Sequence, residues 1–174
     1  MGPIIALAFF AAQFIKYLDY SRLDKMLAFA GGEALVSKGL PVWLLMAAMV
    51  ILSAVLNLIL GSMSAKWLIL APIVVPMLMM VGVSPEAAQA AYRIGDSVTS
   101  IITPLNSYIL VILIVVQRYS KQAGLGSLIA LMMPYSIVFG IVWTLFFLLW
   151  TLLGLPLGVD GPLHYIPSAA SGGL

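Results

Sequence analysis

The sequence predicts an all-α polytopic membrane protein. Of its 174 residues, 63% are hydrophobic and only 8% are charged, whereas about a quarter of the residues in a soluble domain are charged. A soluble domain of this length could not hide so much apolar surface, because the buried fraction of the surface rises only slowly with chain size. In addition, short polar stretches interrupt the apolar segments twice, which predicts a re-entrant hairpin and a discontinuous helix among transmembrane helices.

Composition also excludes several classes of function. The eight basic residues are scattered and form no Lys/Arg-rich run with interleaved aromatic residues, so we expect no nucleic-acid partner. The sequence has no cysteine, which excludes thiolate metal sites and a cysteine nucleophile. It also contains neither an HExxH nor a GxSxG motif. We therefore expect no enzymatic activity and no bound metal or cofactor.

The first forty residues predict a membrane helix followed by a surface helix. Residues 3–18 are apolar but slightly short of the roughly 20 residues that cross a ~30 Å hydrocarbon layer. Residues 19–40 carry six charged side chains with apolar ones between them, which predicts a short amphipathic surface helix and a loop. The start lacks the basic region and cleavage site of a signal peptide, so we expect that the chain begins partway through a longer protein.

Residues 41–82 predict a re-entrant hairpin. Residues 40–60 and 67–83 are both apolar, and only the six small or polar residues GSMSAK separate them. Such a short connection favours a hairpin over two ordinary transmembrane helices. We expect the tip of this hairpin, NLILGSMSAKW, to lie inside the protein. Pro72 and Pro76 are expected to kink the returning arm.

Residues 85–117 predict one span with a polar break in the middle. Ser84 as N-cap and Pro85 at the first helical position start a helix, which the stretch SVTSI interrupts after about eleven residues. Thr103 as N-cap and Pro104 at the first helical position restart it.

The last helix is expected over about 127–153, because this stretch is wholly apolar. The tail at 155–174 is rich in Gly, Pro and Ser, so we expect it to be poorly ordered. Helix parity puts the basic loops 16–38 and 118–121 on opposite sides of the membrane, so charge bias does not fix the orientation.

The two breaks together indicate a binding site. Non-helical backbone at membrane depth is tolerated only where protein or a water-filled cavity satisfies its N–H and C=O groups. The helix N-termini near Ser64 and Thr103 would carry positive partial charge and could hold an anion. Paired interrupted segments of this kind are typical of the substrate site of a transporter.

Arg93 and Asp96 are spaced i, i+3, so they share a helix face and can form an ion pair. Each charge costs at least ~2.5 to 3.5 kcal/mol at membrane depth, which makes a functional role the working hypothesis. The alternative is a structural ion pair near the membrane interface. Asp96, beside the break, could exchange a proton or bind Na⁺ and thereby couple transport to an ion gradient.

Two other side chains each have two interpretations. Trp67, next to Lys66 at the tip of the hairpin, could anchor the segment at the membrane interface or stack on an aromatic or cationic ligand. Asn57, inside an apolar segment, could line the site or donate hydrogen bonds to a neighbouring helix, and the second role is the commoner one.

At both breaks the sequence resembles the AbgT family, the p-aminobenzoyl-glutamate transporters. The resemblance lies in NLILGSMSAKWLILAPIVVPM and AYRIGDSVTSIITPLNSY, and it continues through QRYSKQAG and the last helix. It extends over essentially the whole chain, which corresponds to about the C-terminal third of a family member. It implies that residues 1–154 are the C-terminal transmembrane portion of a transporter and form one half of an inverted-repeat fold.

The resemblance also implies a function. Family members are homodimers in the bacterial inner membrane that move p-aminobenzoyl-glutamate, or in some cases export sulfonamides, and use H⁺ or Na⁺ as coupling ion. The sequence departs from the family at Ser100, where Asn is expected. At the positions of the family's central site, with Asp96 as the coupling residue, this sequence has Asn57, Ser64, Trp67, Arg93, Asp96 and Pro104.

A second interpretation follows because the resemblance does not include the N-terminal repeat of the family. One half of an inverted-repeat site cannot perform alternating access alone. The chain is therefore either a fragment of an ion-coupled transporter or a non-transporting membrane subunit or inactive truncated copy, and the reading frame upstream of Met1 would distinguish them.

Overall fold

Seven α-helices make up the regular structure of residues 2–60, 63–158, 161–163 and 165, which are the residues that the computed structural model describes. Every regular element in these ranges is helical, which confirms the predicted all-α class. The helices in chain order are α1 (Gly2–Ser21), α2 (Leu23–Lys38), α3 (Val42–Ile59), α4 (Met63–Met79), α5 (Pro85–Thr99), α6 (Ser107–Tyr119) and α7 (Leu125–Leu152).

Among the described residues, two helices are long and apolar enough to cross a membrane, namely α3 and α7, while α4 and the apolar part of α6 are shorter. At 1.5 Å per residue the 28 residues of α7 extend about 42 Å, more than the ~30 Å of a hydrocarbon layer. Large apolar side chains such as Leu131, Val138 and Phe146 are exposed along α7. A lipid environment would cover them, in agreement with the composition.

The closest helix packing joins α3 to α5, and α7 packs against both. Gly95 permits this approach, because a Cβ atom at that position would lie 2.1 Å from the carbonyl oxygen of Val50 and 2.9 Å from Cβ of Ser53. Ser53 also donates a hydrogen bond to the carbonyl oxygen of Tyr92 at 2.6 Å. Small residues and side-chain-to-backbone bonds of this kind hold helices together where the hydrophobic effect is weak.

Helix α4 packs mainly against α2, and α5 contacts both α3 and α4. Within the described residues the two arms of the predicted hairpin, α3 and α4, therefore have different main partners, α5 and α2, and do not pack along each other. Helix α4 also begins earlier than the sequence predicted, at Met63 rather than after Lys66. Lys66 is consequently a helical residue.

Most of the predicted surface helix and loop at 19–40 forms one helix, α2, which packs on α4, while residues 19–21 belong to α1. Arg22, in a left-handed conformation with φ of 53°, separates α1 from α2. Two glycines face α4 at this contact, and a Cβ on Gly31 or Gly32 would lie 2.4 Å or 2.3 Å from the sulfur of Met77 or Met80, respectively, so that the flexible methionine side chain would have to shift.

The break after α5 lies further along the chain than predicted. Helix α5 starts as expected, with the Ser84 hydroxyl accepting from the backbone N–H of Ala87 at 3.1 Å, but it continues to Thr99. The predicted N-cap Thr103 is wrong, because α6 begins only at Ser107; the Thr103 hydroxyl donates to the backbone carbonyl oxygens of Asn57 and Thr99. Asn106 caps α6 instead, by accepting from the N–H of Tyr108 at 3.1 Å.

Part of the predicted disordered tail is packed against the turn between α4 and α5. The carbonyl oxygen of Leu163 accepts from the N–H of Ser84 at 3.2 Å, and the N–H of Tyr165 donates to the carbonyl oxygen of Gly82 at 2.9 Å. Leu163 itself is buried. The prediction of a poorly ordered tail does not hold for these residues, while 159–160, 164 and 166–174 lie outside the described residues.

Candidate functional site

A buried polar cluster lies where the end of α3, the start of α4 and the end of α5 meet. Its central members are Asn57 on α3, Lys66 on α4 and Asp96 on α5, which are only 2%, 1% and 0% exposed. Each side chain reaches the cluster because its helix places it within one turn of a helix end. A protein buries charged groups at such a cost only when they are paired.

Lys66 and Asp96 form a buried ion pair, with the ammonium donating to Oδ1 of the carboxylate. The ammonium also donates to the side-chain oxygen of Asn57. The predicted pair between Arg93 and Asp96 is therefore wrong. Helix α5 turns Asp96 towards α3 and α4, whereas Arg93 remains exposed, with its Nη1 atom 2.7 Å from the sulfur of Met63.

Asn57 connects α3 to the last turn of α5. Its amide nitrogen lies 2.9 Å from the carbonyl oxygen of Asp96, 3.0 Å from Oγ1 of Thr99 and 3.2 Å from Oγ of Ser100. Of the two interpretations of this residue, hydrogen bonding to a neighbouring helix is confirmed. Ser100, which stands where the family resemblance leads us to expect Asn, takes part through a hydroxyl that also donates to the carbonyl oxygen of Asp96 at 2.7 Å.

One oxygen of the cluster has no hydrogen-bond donor. Oδ2 of Asp96 is buried, and among the described residues it has no partner. A buried acceptor without a donor carries the full cost of its lost hydration. Addition of a proton or a cation at this oxygen would remove that cost.

Trp67 borders the cluster from α4. Its ring packs on the ring of Tyr92, with the centroids 4.8 Å apart and the planes inclined by 39°. The Tyr92 hydroxyl in turn donates to the carbonyl oxygen of Met63 at 2.8 Å. Trp67 is more deeply buried than Trp43, which is 47% exposed.

The predicted site residues thus divide into two groups. Asn57 and Asp96 lie in the cluster, and Trp67 is adjacent to it through Lys66. Ser64 at the start of α4, Arg93 on α5 and Pro104 in the turn before α6 are exposed. No group of three His, Cys, Asp or Glu side chains in the described part of the chain could hold a metal ion.

Lys66 is the site residue that the sequence prediction missed as the partner of Asp96. A signal was available, because Lys66 is the one basic residue between Lys38 and Arg93. A charge placed between two long apolar segments needs a counter-charge.

Comparison with known proteins relates the chain to one family. The family model described as the AbgT putative transporter family matches residues 1–165. The p-aminobenzoyl-glutamate transport protein of Escherichia coli (strain K12) is 37% identical over 158 residues, which are 91% of this chain and 31% of that protein.

Two solved structures are similar in fold and sequence. The YdaH transporter of Alcanivorax borkumensis, whose crystal structure is described as having an unusual topology, matches with a TM-score of 0.85 and 47% identity over 91% of this chain and 34% of that one. MtrF of Neisseria gonorrhoeae, described as illuminating a class of antimetabolite efflux pumps, matches with a TM-score of 0.80 and 44% identity over 91% of this chain and 31% of that one. The chain spans about a third of the length of these relatives.

Proposed function

The chain belongs to the AbgT family, and from this premise we propose that it forms the C-terminal part of an ion-coupled secondary transporter in the inner membrane of a bacterium. Its relatives are transporters rather than enzymes. The observation that carries the proposal is the buried cluster of Asn57, Lys66 and Asp96 at the ends of three helices. Ionisable groups at membrane depth typically belong to a substrate or ion pathway.

We propose an aromatic anion as substrate, either p-aminobenzoyl-glutamate or a sulfonamide. The name of the Escherichia coli relative supports the first, and the description of MtrF supports an antimetabolite. Two of the predicted site residues have the required chemistry. The ring of Trp67 can stack on an aminobenzoyl ring, and the exposed guanidinium of Arg93 can bind a carboxylate through paired hydrogen bonds.

Asp96 is the coupling residue in this proposal, with H⁺ or Na⁺ as the coupling ion. It combines full burial, an ion pair through Oδ1 and an Oδ2 atom that has no partner in the described part of the chain, so a change in its charge would alter the interaction between α4 and α5. The polypeptide that corresponds to the other two thirds of the relatives is the proposed partner, together with a second copy in a homodimer. Ser64 and Pro104 would face the substrate from the segment ends.

The test is transport by the longest reading frame that contains these residues, reconstituted in proteoliposomes. We expect gradient-driven movement of labelled p-aminobenzoyl-glutamate or sulfonamide, and we expect Asp96→Asn to abolish it in protein that is less stable but still folded. Asp19→Asn is the matched control, because Asp19 forms an exposed ion pair with Lys25. Normal transport by Asp96→Asn would refute the coupling role, and no transport of either substrate by the wild type would refute the function.

The alternative, a non-transporting membrane subunit or inactive copy, is favoured by the length of the chain, about a third of its relatives. In that case neither the 174 residues alone nor the longest reading frame that contains them should bind or move the substrate, whereas the transporter proposal requires the longest reading frame to do both. Isothermal titration of both forms with p-aminobenzoyl-glutamate decides between the two functions.

A further inference from the structure

We propose that Tyr92 is a positioning residue for the substrate. It holds the Trp67 ring in a fixed orientation and covers one of its two faces, so that an aromatic substrate can stack only on the other face. The part of this inference that concerns the substrate rests on the proposed function. The placement of the Trp67 ring does not, because it follows from contacts within the chain.

Tyr92 is itself held at three points. Its backbone carbonyl oxygen accepts from the Ser53 hydroxyl of α3 at 2.6 Å, and its own hydroxyl donates to the carbonyl oxygen of Met63 in α4 at 2.8 Å. Its ring packs on the ring of Trp67. Only 1% of the residue is exposed. A side chain buried this deeply cannot contact a substrate, so any specific effect of Tyr92 on binding must act through a neighbour.

Trp67 is the neighbour that can transmit such an effect. The two ring centroids are 4.8 Å apart, within the range of roughly 4.5 to 7 Å that favours aromatic pairs. In the described part of the chain, Tyr92 is the only aromatic ring in contact with Trp67, and Trp67 retains some exposed surface. An indole has two faces and Tyr92 occupies one of them, which leaves the other for a planar ligand.

The first turn of α4 links the two side chains to which we assign the substrate. Met63 and Trp67 are spaced i, i+4 and therefore share a face of α4. The carbonyl oxygen of Met63 accepts from Tyr92, and its sulfur lies 2.7 Å from Nη1 of Arg93. Two successive residues of α5 thus hold the same turn of α4. A side chain that is already fixed in this way loses less freedom when a ligand binds, which favours affinity.

The first test is calorimetric titration of the longest reading frame with p-aminobenzoyl-glutamate. Tyr92→Leu should weaken binding about fivefold, because the Trp67 ring must then be ordered by the substrate. In a Trp67→Ala background Tyr92→Leu should cause no further loss, since Tyr92 acts through Trp67. Phe147→Leu, which removes another buried ring at a position 4% exposed, is the matched control and should leave the affinity unchanged.

The second test needs no substrate and measures the quenching of Trp67 fluorescence by acrylamide. It uses the 174-residue chain after replacement of its other three tryptophans by Phe, namely Trp43, Trp143 and Trp150. The quenching constant should rise about 1.5-fold in Tyr92→Leu, because loss of the aromatic contact uncovers part of the indole. It should stay unchanged in Tyr92→Phe and in Phe147→Leu.

Three results would overturn the inference. One is equal quenching of Trp67 in the wild type and in folded Tyr92→Leu. Another is a loss of affinity from Tyr92→Leu that persists in the Trp67→Ala background. The third concerns Tyr92→Phe, which keeps the ring and should bind within about threefold of the wild type. A loss as large as that of Trp67→Ala would show that the ring is not what positions Trp67, even where Tyr92→Leu does not fold.

The two tests separate this inference from the proposed function. A wild type that binds neither p-aminobenzoyl-glutamate nor a sulfonamide refutes the function. The quenching of Trp67 then still decides whether Tyr92 covers and orients its ring.

Discussion

Gly95 of α5 lies directly against the carbonyl oxygen of Val50 in α3. A Cβ atom on Gly95 would be 2.1 Å from that oxygen and 3.0 Å from the backbone nitrogen of Ala54. Both are backbone atoms, so neither can turn aside as a flexible side chain could. The separation of α3 and α5, and with it the distance from Asn57 to Asp96, is therefore set by the absence of a side chain at this position.

Gly95→Ala should lower the free energy of unfolding by about 3 kcal/mol, at the upper end for an overpacked position. Gly140→Ala is the matched control, because its added Cβ would meet only Cγ2 of Val98 at an ordinary 3.8 Å. Denaturant unfolding in detergent measures both variants. Equal stability of the two would contradict the close approach.

The stability of the Lys66 and Asp96 variants should be strongly non-additive. Loss of either partner leaves a buried charge uncompensated, which costs about 3 to 5 kcal/mol. Lys66→Met/Asp96→Leu removes both charges and should be more stable than either single variant. The cycle compares the free energies of unfolding, in choline chloride, of the wild type, Lys66→Met, Asp96→Leu and the double variant. If the losses of the two single variants simply added up in the double variant, the pair would not be buried.

Asn57→Ala should lower the free energy of unfolding more than Ser53→Ala does, although both side chains form hydrogen bonds from α3 to α5. Asn57 also accepts from the charged Lys66, and hydrogen bonds to charged groups contribute about 1.5 to 3 kcal/mol. Ser53 makes one bond to a backbone carbonyl, for which membrane proteins average about 0.6 kcal/mol. Thermal unfolding in the same detergent compares them, and the reverse order would argue against Asn57 as a partner of the ammonium.

Trp67→Ala should weaken the binding of p-aminobenzoyl-glutamate by about tenfold, because an aromatic pair contributes roughly 0.5 to 1.5 kcal/mol beyond its buried area. Trp67→Phe should retain most of the affinity. Trp43→Phe, a change at an exposed tryptophan on the same protein, should have no effect. Calorimetric titration gives the three Kd values, and an unchanged value for Trp67→Ala would return Trp67 to the role of a membrane anchor.

Asn106→Ala should destabilise the start of α6 by about 1 kcal/mol, the usual effect of removing an N-cap. Ser97→Ala, at an exposed position within α5, should change the Tm much less. A larger loss from Thr103→Val than from Asn106→Ala would indicate that hydrogen bonds of the Thr103 hydroxyl outweigh the cap.

Local chemistry was predictable from the sequence, and the direction in which a helix faces was not. The start of α5 follows from the Ser–Pro pair at 84 and 85, whose capping effect depends only on neighbouring backbone groups. By contrast, the i, i+3 spacing of Arg93 and Asp96 allowed an ion pair within the helix, but a closer cation on another helix competes for the carboxylate. That competition depends on the packing of α4 against α5, which spacing along one helix does not report.

The misplaced start of α6 has the same origin. Thr103 and Pro104 satisfy the local rules for a helix N-terminus, but the Thr103 hydroxyl donates to carbonyl oxygens of Thr99 at 2.8 Å and Asn57 at 3.2 Å. The second of these belongs to α3. The Thr103 hydroxyl is thus bonded to a residue 46 positions away in the chain, which the local motif does not report. Asn106 became the cap instead: its amide nitrogen donates to the carbonyl oxygen of Ser100, and its side-chain oxygen accepts from the N–H of Tyr108.

The packing of α4 divides the molecule into two blocks, one of α1, α2 and α4 and the other of α3, α5 and α7. In the described residues, the polar and aromatic contacts that fasten α4 to the second block all lie between Met63 and Trp67. Further along α4, Val74 and Leu78 hold it to the same block through the apolar core. Of these two attachments only the polar one depends on charge, so a change in the charge of Asp96 would loosen α4 at one end and leave the apolar core and the α3–α5 interface as a fixed frame.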